Sequence, residues 1–248
     1  MVLLLYIVTF TFLGMLISCM SIALLCLKSN VIKRFSHFLL SFTIGTLLGV
    51  VFFDILPEAF ALNNNYPLLF SLVMGGIIFF LFLERIIGYY HHHEEHLLDH
   101  APAGKTTTIL ILLSDGVHNF LDGIIITLSF LTSIPLGIAT SLAVIFHEIP
   151  QQIGSGALLL INGVSPKNVL TYNILASSTI VIGGISAYAF AHLLEPIIPY
   201  CLALIAGNFI YIALSDLVPE VHEHDVGLLE TISHFILILL GIISIILL

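Results

Sequence analysis

The run Val2-Leu-Leu-Leu-Tyr-Ile-Val-Thr-Phe-Thr-Phe-Leu-Gly-Met-Leu-Ile-Ser-Cys-Met-Ser-Ile-Ala-Leu-Leu-Cys-Leu27 carries no charged residue and no alternation of polar and apolar positions. About 20 consecutive apolar residues cross a bilayer as a helix. A strand of a membrane barrel is instead about ten residues of alternating polarity. The run therefore reads as a spanning helix. Its nearest charges, Lys28, Lys33 and Arg34, follow it, and no basic region precedes it, so it reads as a span rather than a secretory signal.

The rest of the chain repeats this texture. Of 248 residues 59% are hydrophobic and 8% charged, where a soluble domain carries roughly 25% charged residues. So few charges cannot clothe a water-soluble globule, and so much apolar surface excludes a disordered chain. Six Lys and Arg against fifteen Asp and Glu, net charge −9, exclude a nucleic-acid binder. Apolar segments fall at 2–27, 37–60, 67–88, 106–132, 136–161, 168–194, 198–219 and 227–248. The expected fold is an all-α polytopic membrane protein of eight transmembrane helices in a single transmembrane domain over residues 1–248, with no extramembrane domain. Cys19, Cys26 and Cys201 all lie inside apolar runs and read as packed thiols.

Lys28, Lys33 and Arg34 lie between the first and second segments, Arg85 and Lys105 flank the connection between the third and fourth, and Lys167 lies between the fifth and sixth. In an up-and-down trace all of them share one side, which the positive-inside rule makes cytoplasmic. Both termini are then expected outside. An internal repeat supports the same trace. Gly45 is followed by Asp54-Ile-Leu-Pro57-Glu58, and Gly207 at the same spacing by Asp216-Leu-Val-Pro219-Glu220. The two copies stand five spans apart and cross in opposite directions, the mark of an inverted repeat. Segments 1–3 then pair with 6–8, leaving the fourth and fifth between the halves, a 3+2+3 arrangement.

The fourth and fifth segments hold the costly residues. Charged groups at the bilayer centre cost at least about 2.5–3.5 kcal/mol each, so they stay only if paired, hydrated or bound to metal. Asp115, His118, Asn119 and Asp122 stand on the fourth segment, with His118 and Asp122 at i, i+4 on one helix face. His147, Glu148 and Gln151 stand on the fifth, with His147 and Gln151 at the same spacing. Counted from the segment ends, His118, Asp122 and His147 reach similar depths, so two antiparallel neighbours present imidazole, carboxylate and amide groups to each other at mid-membrane. That donor set suits Zn²⁺, Fe²⁺ or Mn²⁺. Pro150 removes a helix hydrogen bond and is expected to free a carbonyl near the site. Gly116 and Gly123 permit close helix approach.

The connection at 89–105 reads His91-His92-His93-Glu94-Glu95-His96, then Asp99-His100. It is expected to be a His-rich cytoplasmic loop that binds metal loosely. A second ligand-rich stretch on that side is Glu220-Val-His222-Glu-His224-Asp225.

These motifs resemble those of the ZIP (Zrt/Irt-like) family of divalent-metal transporters. His118-Asn119-Phe120-Leu121-Asp122-Gly123 fits the signature H-N-F-x-D-G, and His147-Glu148-Ile149-Pro150 fits H-E-I-P. Gly207-Asn208 through Glu220 looks like the family's seventh helix. The resemblance implies metal ligands on the fourth and fifth helices, import toward the cytoplasm, and movement of a unit made of helices 1, 4, 5 and 6. It implies a metal set of His118, Asp122, His147 and Glu148, with Asn119 and Gln151 as further ligands. The chain departs from the pattern where relatives usually have Glu and Asp: Gln152 and Ser155 stand there. Ile180 stands where some relatives have a Glu that bridges a second metal, so one site is favoured over a two-metal centre.

The expected function is transport of a divalent transition metal, zinc first, with Fe²⁺, Mn²⁺ or Cd²⁺ as further substrates. The expected partners are these ions and the lipid bilayer, with no nucleic acid. A homodimer is left open, and the expected location is the plasma (inner) membrane. Two other readings compete. An intramembrane zinc metalloprotease would use H-E-x-x-H with a downstream L-D-G. Here Gln151 holds the place of the second His, and Leu121-Asp122-Gly123 comes first. A metal sensor that binds without transporting is the other.

Overall fold

The computed structural model describes residues 2–27, 29–95, 105–222 and 227–248, and among them the chain is helical with no strand. Helix α1 is Val2–Leu27. Helix α2 begins as Ser29–Val50, widens into a π-helical turn at Val51–Ile55 and resumes as Leu56–Leu62. Helix α3 is Tyr66–Glu95, α4 is Lys105–Thr132, α5 is Ile134–Ile161 and α6 is Pro166–Ala189. The short helix Ala191–Leu194 and a 3-10 turn at Glu195–Ile197 lead into α7. Helix α7 runs as Ile198–Tyr211, a π turn at Ile212–Leu217, and Val218–His222; α8 is Leu228–Ile246.

Among the described residues, six helices are long and apolar enough to cross a membrane: Val2–Leu27, Phe38–Leu62, Ile111–Thr132, Pro166–Ala189, Ala191–Ser215 and Leu229–Ile246. Tyr66–Phe82 is a shorter apolar helix. Helix α5 is as long as its neighbours, but His147, Glu148, Gln151 and Gln152 interrupt its apolar face. Helix α3 continues to Glu95, so His91, His92 and His93 lie on helical backbone instead of in a loop starting at residue 89. Residues 96–104, with His96, Asp99 and His100, lie outside the described residues, as do residues 223–226 of the second ligand-rich stretch.

Local chemistry sets the turn that matters most. Ser133 alone separates α4 from α5, and its hydroxyl oxygen accepts the Leu136 N–H at 3.3 Å while Pro135 starts the helix. So short a link folds α4 and α5 into an antiparallel hairpin. His118 lies 15 residues before Ser133 and His147 lies 14 after it. At 1.5 Å rise per residue both stand about 21–23 Å from the turn. At the far end of α5, Gly163 takes φ 80°, a left-handed conformation open to glycine, and lets the Val164 N–H reach the Leu159 carbonyl at 3.0 Å.

The helices pack in two groups. Helix α4 lies along α6, α1 packs on α5 and α6, and α4 packs on α5. Separately α2 pairs with α8, and α3 with α7; α2 also packs on α5 and joins the groups. Both pairs of the second group cross at facing glycines. A Cβ on Gly45 would run into the Ile238 carbonyl and one on Gly241 into that of Phe42; Gly76 and Gly207 stand likewise against the carbonyls of Leu204 and Val73. Backbones that meet this closely are the usual membrane solution, because lipid leaves helices only packing and hydrogen bonds to associate by.

The two π turns occupy matching places in the sequence repeat. The Leu56 N–H reaches back to the Val51 carbonyl, and the Val218 N–H to that of Ala213. In each case the next residue is a proline, Pro57 or Pro219. A proline ring clashes with the carbonyl four residues back. Widening the preceding turn by one residue relieves that clash without breaking the helix.

Candidate metal centre

His118, Asp122, His147 and Glu148 each bring a ligand atom to one place, all within 4.8 Å of one another. Helix α4 supplies the first two, a turn apart, and α5 the others. The two Nε2 atoms are 3.2 Å apart. Asp122 Oδ2 is 3.4 Å from each of them, and Glu148 Oε1 is 3.8 Å from His118 Nε2. An ion held tetrahedrally by bonds of about 2.0–2.1 Å sets its ligand atoms about 3.3 Å apart. The spacing of the two imidazoles and Asp122 is that of three corners of such a tetrahedron, with Glu148 Oε1 standing farther out.

The hydrogen bonding suits the same end. The His147 Nδ1–H donates to the Ala143 carbonyl at 3.3 Å, which turns the Nε2 lone pair toward the cluster. Asp122 Oδ2 and Glu148 Oε1 are buried and accept no hydrogen bond. A buried carboxylate oxygen with no donor is costly, and more so at membrane depth. As metal ligands both imidazoles would be neutral, so with the two carboxylates the set would carry two negative charges, which one divalent ion would neutralise. Side-chain exposure is 21% for His118 and at most 1% for the other three, so His118 is the most exposed member of the cluster.

The two amide candidates flank this set. Asn119 is fully buried; its Nδ2 donates to the Asp115 carbonyl at 3.0 Å, and its Oδ1 is without a partner. Gln151 is partly buried on α5, one turn beyond His147, and no hydrogen bond among the described residues joins it to the cluster. Asp115 accepts the Ser155 hydroxyl at 3.0 Å and so ties α4 to α5. Ile180 is buried at the contact of α1 with α6, its Cδ1 next to Gly14.

One expectation needs correction. The carbonyl that Pro150 frees is that of Phe146, and it accepts the Thr43 hydroxyl of α2 at 3.1 Å. It is used for helix packing and is not left open to the site. A network that the sequence reading missed lies behind Glu148. Gln152 Nε2 donates to Glu148 Oε2 at 3.2 Å, and Asn173 Nδ2 donates to Gln152 Oε1. Asn173 also reaches Ser18 at 3.4 Å, and Ser18 and Ser177 hydroxyls are 2.6 Å apart. The signal was present as polar residues inside apolar segments 1 and 6.

Fold and site together define a class: a multi-pass helical membrane protein with imidazole and carboxylate donors gathered on a central helix hairpin. The chain belongs to the ZIP zinc transporter family, whose sequence pattern it matches over residues 1–106 and 93–248. It is similar to the zinc transporter foi of Drosophila melanogaster, 36% identical over 147 residues, 58% of this chain and 20% of that protein. The human zinc transporter ZIP6 is 36% identical over 120 residues, 48% of this chain and 16% of the relative. The metal cation symporter ZIP14 of Xenopus tropicalis is 28% identical over 265 aligned positions, 79% of this chain and 57% of the relative. The chain thus spans between 16% and 57% of the length of these curated relatives. The family is one of transporters and not of enzymes.

Proposed function

We propose that the chain carries a divalent transition metal, zinc first, across the membrane toward the cytoplasm. His118, Asp122, His147 and Glu148 bind the ion on its way, with Asn119 and Gln151 as further ligands when the ion enters or leaves. The observation that carries this reading is the pair of orphaned buried carboxylate oxygens facing two imidazoles at ligand spacing. Family membership supports zinc as the substrate; Fe²⁺, Mn²⁺ and Cd²⁺ share the donor preference. The metalloprotease reading is not favoured, because Gln151 replaces its second histidine and the relatives are transporters.

Transport requires the site to face each side in turn. The packing supports a unit of α1, α4, α5 and α6 moving against α2, α3, α7 and α8, since the strongest associations stay within each group. The matching π turns and glycine crossings of α2 with α8 and α7 with α3 support the inverted repeat, and with it eight spans in a 3+2+3 order. The side that carries Lys28, Arg85, Lys105 and Lys167 is then cytoplasmic, with both ends of the chain outside, in the plasma membrane. The test is uptake of Zn²⁺, Fe²⁺, Mn²⁺ and Cd²⁺ by vesicles that contain the purified protein. Accumulation of zinc above protein-free vesicles is expected. Zinc bound but never accumulated would convert the reading to that of a sensor.

A further inference from the structure

We propose that Gln152 and Asn173 are positioning residues that hold Glu148 to a single metal-facing oxygen, an inference that rests on the cluster being the metal site. Glu148 and Gln152 are both fully buried, one turn apart on α5. An ionised carboxylate only accepts hydrogen bonds. The amide of Gln152 must therefore turn its NH₂ to Glu148 Oε2, as the 3.2 Å contact has it. That choice leaves the Gln152 carbonyl facing α6, where it needs a donor. Asn173, 4% exposed, supplies its NH₂ there, and the same NH₂ rests against Ser18 of α1. Each orientation in the chain fixes the next, and the sequence of donors ends at the carboxylate.

The consequence for the site is geometric. With Oε2 capped, only Oε1 of Glu148 is free, and that is the oxygen found buried without a partner on the cluster side. Glu148 then contributes one bond, leaving the imidazoles and Asp122 to complete a four-coordinate set suited to zinc. An ionised carboxylate at 152 could not donate to Glu148 at all. Gln152 thus keeps the charge of the set at two while it orients Glu148, and the wiring ties the ion to the packing of α1 on α6. Partners of this kind affect metal affinity by about 10–100-fold when they are removed.

The test uses the full chain, purified in detergent. Zinc affinity is measured by calorimetry on monodisperse protein of unchanged helical circular dichroism. Gln152→Met keeps the bulk and removes the donor. Asn173→Asp keeps the shape but, ionised, offers Gln152 only acceptors, so the amide turns its carbonyl onto Glu148. Both are expected to weaken zinc binding by about 10–100-fold, and Asn173→Asp is expected to do so despite being isosteric. Infrared difference spectra on zinc addition, with Glu148→Gln as the reference, read the Glu148 carboxylate itself. A monodentate splitting is expected in the unmodified protein, and a collapse toward the bidentate value in Gln152→Met. If neither variant folds, the spectrum of the unmodified protein still decides: bidentate Glu148 overturns the proposal. Zinc binding lost in His118→Ala but unchanged in a folded Gln152→Met overturns the positioning role alone. Zinc binding that survives His118→Ala overturns the metal site, and this proposal with it.

Discussion

The Thr43 hydroxyl donates to the Phe146 carbonyl at 3.1 Å, the oxygen left without its helix partner by Pro150 four residues on. Phe42 meets Phe146 edge-on beside it, with ring centroids 5.0 Å apart. One hydrogen bond thus joins α2 to α5, where the two groups of helices touch. It lies one residue from His147. A break in α5 that would otherwise leave a bare buried carbonyl is closed by a neighbour.

Interhelical hydrogen bonds in membranes average only about 0.6 kcal/mol. The Phe146 carbonyl differs from the average, because proline has already removed its intrahelical donor. Thr43→Val should therefore cost toward the full penalty of an unpaired buried acceptor, about 1–3 kcal/mol. Thr43→Ser keeps the hydroxyl and should stay close to the unmodified protein. Thermal midpoints of the two purified variants check this; equal midpoints would show that the bond contributes nothing.

The glycine crossings allow a paired comparison. Gly207→Ala and Gly241→Ala each push a methyl into a facing carbonyl, of Val73 and Phe42, and the backbone cannot step aside cheaply. Overpacking of this kind costs about 1–3 kcal/mol. Gly154 lies in α5 with open space where a methyl would stand, no atom of a neighbour coming within 4 Å of it. Gly154→Ala should therefore be neutral or stabilising by about 0.5–1 kcal/mol. The yield of monodisperse protein and its midpoint should separate the first two variants from the third.

Replacing His91, His92, His93 and His96 with Ser should leave maximal zinc uptake within a few-fold. The cluster proposed to bind the ion lies on α4 and α5, and the histidine tract follows the apolar part of α3. It can gather or sense metal beside the pathway without forming it. Loss of all uptake would make the tract part of the conduit.

Much of this was legible in the sequence for simple reasons. Long uncharged runs have one solution in lipid, and His118, Asp122, His147 and Glu148 are too costly there to be incidental. Helix ends and interruptions were less legible. The His and Glu residues after Tyr90 are compatible with helix, so α3 runs on to Glu95 past the end of its apolar stretch. The π turns leave no trace in hydropathy, since one extra residue per turn does not alter a uniformly apolar run. Pro150 announced a free carbonyl, but only the fold could show that Thr43 takes it. Gln152 and Ser155 read as losses against the family pattern. In the structure they are donors, to Glu148 and to Asp115.

The central claim is that one ion binds between α4 and α5 on His118, Asp122, His147 and Glu148. X-ray absorption at the zinc edge of the loaded, purified protein tests it most directly, alongside uptake by vesicles of His118→Ala and Asp122→Ala. The account predicts one zinc per chain with two imidazole nitrogens and two carboxylate oxygens at about 2.0–2.1 Å, no sulfur from Cys19, Cys26 or Cys201, and uptake abolished in both variants while the protein still inserts. Sulfur in the zinc shell, or normal uptake by either variant, would contradict it.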